Sequence, residues 1–172
     1  MKLCIFIIIL ILKFNLVKAE EKIAFIDLNY IFNNSISGKS INNFMNDLKK
    51  KKTKEFKLIE NEIKNQENDL ISKKNIIEKN IYNEKVSEIR SRISNYKIDR
   101  QNFNKSMEKK KIKYTNRLLE KLNPIISEYV EKNSITIVLP KKMIIIGKKS
   151  LDITIPIIKI LDETIQKVNF NE

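Results

Sequence analysis

Residues 89–114 read IRSRISNYKIDRQNFNKSMEKKKIKY. Ile89, Ile93, Tyr96, Arg100, Phe103, Met107, Lys110 and Tyr114 follow one another at spacings of 4-3-4-3-4-3-4. That alternation is the seam of a coiled-coil helix, in which two positions of every seven face a partner. Leu118, Leu122 and Ile125 carry the stripe onward, and Ile41, Phe44 and Leu48 show the same spacing upstream. A further run, Ile59, Ile63, Gln66, Leu70, Lys73 and Ile77, repeats it. From Ile41 to Lys132 there is no glycine, and Pro124 is the one proline, so the segment far exceeds an ordinary globular helix.

The two runs do not share a register. Ile77 and Ile89 stand 12 residues apart, a step that 4-3 alternation does not reach. The break falls in Lys79–Glu84, where Asn80 and Asn83 tolerate turn conformations. The spacing therefore predicts a helical hairpin over 41–132 with its tip near 79–84. Each arm would reach about 60 Å at ~1.5 Å per residue. The rival is one continuous helix of ~130 Å with a stutter. Strand-like runs on both sides favour the hairpin, because folding back brings them together.

Ile23-Ala24-Phe25-Ile26-Asp27-Leu28 reads as a strand passing into a short helix through Phe32. Asn33, Asn34, Ser35, Ser37 and Gly38 mark a loop, with Ser40 as the helix cap. Beyond Asn133, Ile135–Leu139 is a second strand, Pro140-Lys141-Lys142 a turn, and Met143–Ile146 a returning strand closed by Gly147. Asp152 or Thr154 would cap a last helix, with Ile157, Ile158, Leu161, Ile165 and Val168 on one face. The fold class is α+β: a long antiparallel coiled-coil hairpin projecting from a small β-strand body, residues 20–40 and 133–172. So small a core, with no staple, calls for oligomerisation. Ile23, Phe25, Ile26, Ile135, Ile137, Val138, Ile144 and Ile146 are the candidates to build that body.

Residues 1–19 read as a secretory signal, with Lys2, an apolar run from Ile5 to Leu12, and Val17-Lys18-Ala19 before a cut after Ala19. The run is too short for a bilayer, which needs ~20 residues. Cys4 leaves with it, so the exported chain carries no cysteine and no disulfide. Histidine is absent and glycine occurs twice. These counts leave out imidazole chemistry, phosphate-cradling loops and Cys/His metal sites, and no cofactor is implied. Asp27, at a strand end, is the best lone catalytic candidate, and a turn cap explains it equally well. The chain is read as a non-enzyme.

The formal charge is +13. Without Lys2, Lys13 and Lys18 it is +10, and 41–131 holds 22 basic and 14 acidic residues. Lys49–Lys52 and Lys109–Lys111 should meet near the arm's base. Lys73, Lys74, Lys79, Lys85, Arg90 and Arg92 decorate the tip and are the candidates for touching an anionic surface or an acidic chain. Gln66, Lys73, Arg100 and Lys110 occupy seam positions where a tight coil wants leucine or isoleucine.

Lys22-Ile23-Ala24-Phe25-Ile26-Asp27 with Phe32 resembles the opening of the Skp/OmpH family, periplasmic chaperones of outer-membrane proteins. Ile135–Leu139 followed by Asp152-Ile153-Thr154 is similar to its ending, and the lysine-rich middle is similar to its tentacle. The sequence departs from the family at Pro140, and in carrying Lys and Asn where the arm usually has Ala and Gln. The resemblance implies a periplasmic homotrimer whose three hairpins enclose unfolded outer-membrane proteins as an ATP-independent holdase. Anionic membrane lipid or lipopolysaccharide is a further expected contact at the tip, and nucleic acid is not an expected partner. The competing reading is a cationic coiled-coil module that binds anionic lipid or nucleic acid.

Overall fold

The computed structural model describes residues 21–165. The expected export signal with its cut after Ala19, and Val168, expected on the face of the last helix, lie outside them. The order is β1 (Ile23–Ile26), α1 (Leu28–Asn34), α2 (Ile36–Ser72), α3 (Lys79–Lys132), β2 (Ile137–Pro140) and α4 (Thr154–Thr164), with single 3-10 turns at Lys141–Met143 and Lys149–Leu151.

Asp27 ends β1 and starts α1, its Oδ1 accepting the Tyr30 N–H at 2.9 Å. The loop expected over 33–38 shrinks to one residue, Ser35. Its N–H donates to the Ile31 carbonyl, and its Oγ accepts from the Gly38 N–H at 3.1 Å. Ser35, not Ser40, is therefore the cap of α2. Gly38 lies inside the helix, at a position where a Cβ would stand 2.2 Å from the Phe32 carbonyl oxygen. The glycine is what lets α1 and α2 approach so closely.

With 37 and 54 residues, α2 and α3 are about 55 and 80 Å long. They pair as an antiparallel hairpin whose turn occupies 73–78, ahead of the 79–84 segment expected. Asn80 and Asn83 lie within α3. The chain turns earlier because α2 winds down at Ser72, whose Oγ donates to the Asp69 carbonyl at 2.7 Å. The Lys73 N–H is then shared between the Asp69 and Leu70 carbonyls. Phe44 meets Tyr114 edge-on at 5.7 Å, and Phe56 meets Tyr96 and Phe103, each at 5.8 Å. These ring contacts fix the register.

The base of α3 runs into the body, where Tyr114, Leu118, Leu122 and Ile125 are buried beside Ile41, Ile31, Ile157 and Leu161. The chain then reverses at Ser134, whose φ of 50° is left-handed, and enters β2. β1 and β2 are parallel, pairing Ile23 with Ile137 through to Ile26 with Pro140. On its other side β1 bridges Asp152, and the Ile153 N–H donates to the Phe25 carbonyl at 3.0 Å.

The returning strand expected at Met143–Ile146 does not form. Met143 ends a 3-10 turn, and Ile144 is extended but unladdered. Lys141 Nζ bonds Asp152 Oδ2 at 2.8 Å, tying the start of this segment to the end of the 149–151 turn. Gly147 then passes against the Phe25 ring, where a Cβ would stand 2.9 Å away. β-branched residues favour extended backbone, but a ladder needs a partner within reach. The last helix begins at Thr154, whose N–H is taken by Asp152 Oδ1 at 3.0 Å. Its end is tied to the start of α2 by Asp162 accepting from the Ile36 N–H and by Ser37 Oγ donating to the Ile165 carbonyl, both at 2.7 Å.

Candidate functional site

The arm is thinly packed. Between Phe56 and Tyr114 only Ile63 and Leu70 are buried. Gln66, Lys73, Arg100 and Lys110, read from the spacing as seam positions, are all exposed. Heptad spacing brings apolar side chains to one stripe, but long polar side chains at alternate steps leave that stripe open to water. The outer arm also exposes large apolar side chains, with Ile71 at 65% and Ile76 at 80% of full exposure. Ile76 lies in the turn itself. The heptad count passes over Ile71 and Ile76 because neither is a seam position.

Ion pairs cross the seam. Arg92 meets Glu62, and Arg100 approaches Glu60 at 3.9 Å. Both pairs are well exposed, so each adds at most about 1 kcal/mol. Along single helices, Lys73 pairs with Asp69 and Lys52 with Glu55, each at 2.8 Å. The Lys52 hydrogen bond holds the Glu55 carboxyl below the usual range, against a smaller opposing push from burial.

The six basic tip candidates are not gathered into one patch. Lys73 and Lys74 lie in the turn and Lys79 opens α3. With about 100° of rotation per residue, Lys85 and Arg92 share one face of α3, while Lys79 and Arg90 share another. Two of the six, Lys73 and Arg92, already hold carboxylates.

The body candidates divide. Phe25, Ile26 and Ile135 are buried within the protomer, while Val138 and Ile144 are half-buried. Ile23 and Ile137 face each other across the β1–β2 ladder, each about half exposed. Ile145 and Ile146 stand 97% and 92% exposed. Ile145 is absent from the sequence-derived set, since period-2 alternation would have turned it away from Ile144 and Ile146. Without a ladder that alternation does not apply.

At the root of the arm, α1, α2 and α3 leave a cleft of about 690 Å³. Phe32, Met45, Phe103 and Met107 form its apolar lining, and Lys49 and Lys111 reach it from opposite helices. The two lysine clusters therefore do come to one level. Asp27, the catalytic candidate, holds a helix N-terminus, and its own N–H donates to Thr154 Oγ1 at 2.9 Å. Among the described residues no three His, Cys, Asp or Glu side chains form a metal-binding group, and no helix is long and apolar enough to cross a membrane.

Comparison with known proteins gives a consistent result. Residues 22–161 match the family described as outer membrane protein (OmpH-like). The crystal structure of a protein described as an outer membrane chaperone (OmpH-like), from Caulobacter crescentus, superposes with a TM-score of 0.81. It is 16% identical, and the match covers 89% of this chain and 90% of that one. Comparison with curated protein sequences finds no match.

Proposed function

The chain belongs to the OmpH-like outer membrane protein family, and from that premise we propose that it is an ATP-independent periplasmic holdase. It is exported by its first 19 residues, assembles as a homotrimer, and keeps unfolded outer-membrane proteins from aggregating before insertion. The observation that carries this reading is the bare arm. A long two-helix hairpin with two buried seam residues over its outer length gains little from its own packing. Its exposed isoleucines instead offer many weak apolar contacts to a chain lying alongside. The paired Ile23 and Ile137, with Ile145 and Ile146 nearby in sequence, give the body an apolar surface for other copies. Three such arms around one body would enclose a client. Ile76 beside Lys73, Lys74 and Lys79 would also let the tip touch an anionic lipid or lipopolysaccharide headgroup.

The test is dilution of a urea-unfolded outer-membrane protein into buffer while turbidity is followed. Suppression at about one trimer per client, without nucleotide, is the expected result. Turbidity unchanged at every ratio would overturn the holdase reading. A monomer by light scattering would overturn the enclosing trimer.

A further inference from the structure

The charge on the arm is not where the tip candidates suggested. From 58 to 104, the outer arm, nine basic residues stand against eight acidic ones. In the slab formed by 47–57 and 105–113 there are eleven lysines against Asp47, Glu55 and Glu108. Almost all the excess charge thus forms a belt where the arm leaves the body. The root cleft opens within this belt. Lys49 and Lys111 are exposed at its edges, Phe32, Met45, Phe103 and Met107 are half-buried in its wall, and five asparagines and the Glu108 carboxylate share the lining, so the two lysines outnumber one acidic group there. A second concavity on the same level of α2 is lined by Asn46, Lys49, Lys50, Thr53 and Lys54.

We infer that this cleft is a docking site for an extended polypeptide segment in which aromatic or aliphatic side chains alternate with carboxylates. The inference rests on the holdase reading and names the segment class that the holdase grips. A volume of several hundred Å³ accommodates a few large side chains. Methionine and phenylalanine make a wall that adapts to differing shapes. The basic residues of the belt are all lysines, which act as point charges and not as the rigid forks that select one carboxylate or phosphate geometry. Such a rim attracts acidic chain without fixing it in place, and a free phosphate would leave the apolar wall uncovered. The cationic belt also raises the local concentration of acidic segments in a salt-dependent way.

The test uses a fluorescent twelve-residue peptide alternating Phe or Val with Asp, and the same peptide with Lys for Asp. Binding to the protein is read by anisotropy. The acidic peptide should bind at least about tenfold tighter than its lysine counterpart. Lys49→Glu with Lys111→Glu should lower its affinity about tenfold, while Lys73→Glu with Lys85→Glu at the tip should change it by less than about twofold. Equal binding of the two peptides, or an equal loss from the tip variant, overturns the inference. So does a root variant that loses binding to phosphatidylglycerol vesicles but keeps the peptide, which would make the cleft a lipid site. Turbidity suppression by the unaltered protein separates the two levels. Suppression without peptide preference overturns the cleft alone, and absence of suppression overturns the reading beneath it.

Discussion

Replacing Gly38 with alanine should destabilise the protein, although helix propensity says the opposite. Gly38 lies in the first turns of α2, where alanine is ordinarily favoured by ~1 kcal/mol. In this position the added Cβ would stand 2.2 Å from the Phe32 carbonyl oxygen, 2.7 Å from its carbon and 2.9 Å from Ser35 Oγ. The first two are backbone atoms of α1 and cannot rotate away. Relief requires α1 and α2 to separate by roughly an ångström, which also strains the Ser35–Gly38 cap bond. Overpacking of this kind typically costs about 1–3 kcal/mol, occasionally more, and cap loss about 1 kcal/mol. After the propensity gain the net loss is ~2 kcal/mol, or a fall in Tm of about 4–8 °C for a chain of this size. The measurement is thermal unfolding by circular dichroism at one fixed protein concentration, because the proposed assembly would make Tm concentration-dependent. A Tm equal to or above that of the parent would refute the reasoning and show that the joint between body and arm relaxes freely.

Two further outcomes follow from the geometry. Burial pushes the Asp152 carboxyl up, but hydrogen bonds from Lys141 and Thr154 outweigh it and hold the group below its ordinary value. A depressed carboxylate contributes stability that is present above the unfolded value of about 3.9 and lost as pH falls through the folded one. Asp152→Asn should therefore cost about 1–2 kcal/mol at pH 7, and the gap in urea unfolding should narrow below about pH 4. A gap that stays constant down to pH 3 would contradict the assignment. Hydrogen exchange should also grade along α3, with amides of 80–113 exchanging well before those of 118–130, because buried packing is confined to the lower part. Uniform protection along the helix would show that the outer arm is held by contacts absent from this structure.

The hairpin was legible in the sequence because 4-3 spacing is a long, redundant signal. Its turn was harder to place. Asparagines at 80 and 83 are compatible with a turn, but the chain turns where Ser72 and the carbonyls of Asp69 and Leu70 end α2, and a hydroxyl bond to a nearby carbonyl leaves little trace in composition. β1, α1 and the face of α4 were also readable, since each is a short amphipathic or apolar run with a cap. Met143–Ile146 misled because extended preference is local while a ladder is tertiary. The root cleft was invisible to periodicity. Met45 is one residue off the seam, and it lines the cleft together with Phe32 of α1 and Phe103 and Met107 of α3.

Under the proposed holdase reading, the distribution of charge and the thin seam together would let one arm hold without locking. An apolar seam filled with leucine would consume the surface a client needs, and a strongly cationic tip would repel its own copies in an assembly. This chain keeps the outer arm nearly neutral, with nine basic and eight acidic residues, and leaves its isoleucines bare. The net positive charge is set back to the root, where the body holds the helices rigid by burying Tyr114, Leu118 and Leu122. Like charges there are spread over two helices that core packing already fixes, so their repulsion acts against several kcal/mol of burial. At the tip nothing comparable would oppose it. The same eleven lysines that would unzip a bare coil can therefore stand at the base, where the proposed cleft would draw acidic chain inward.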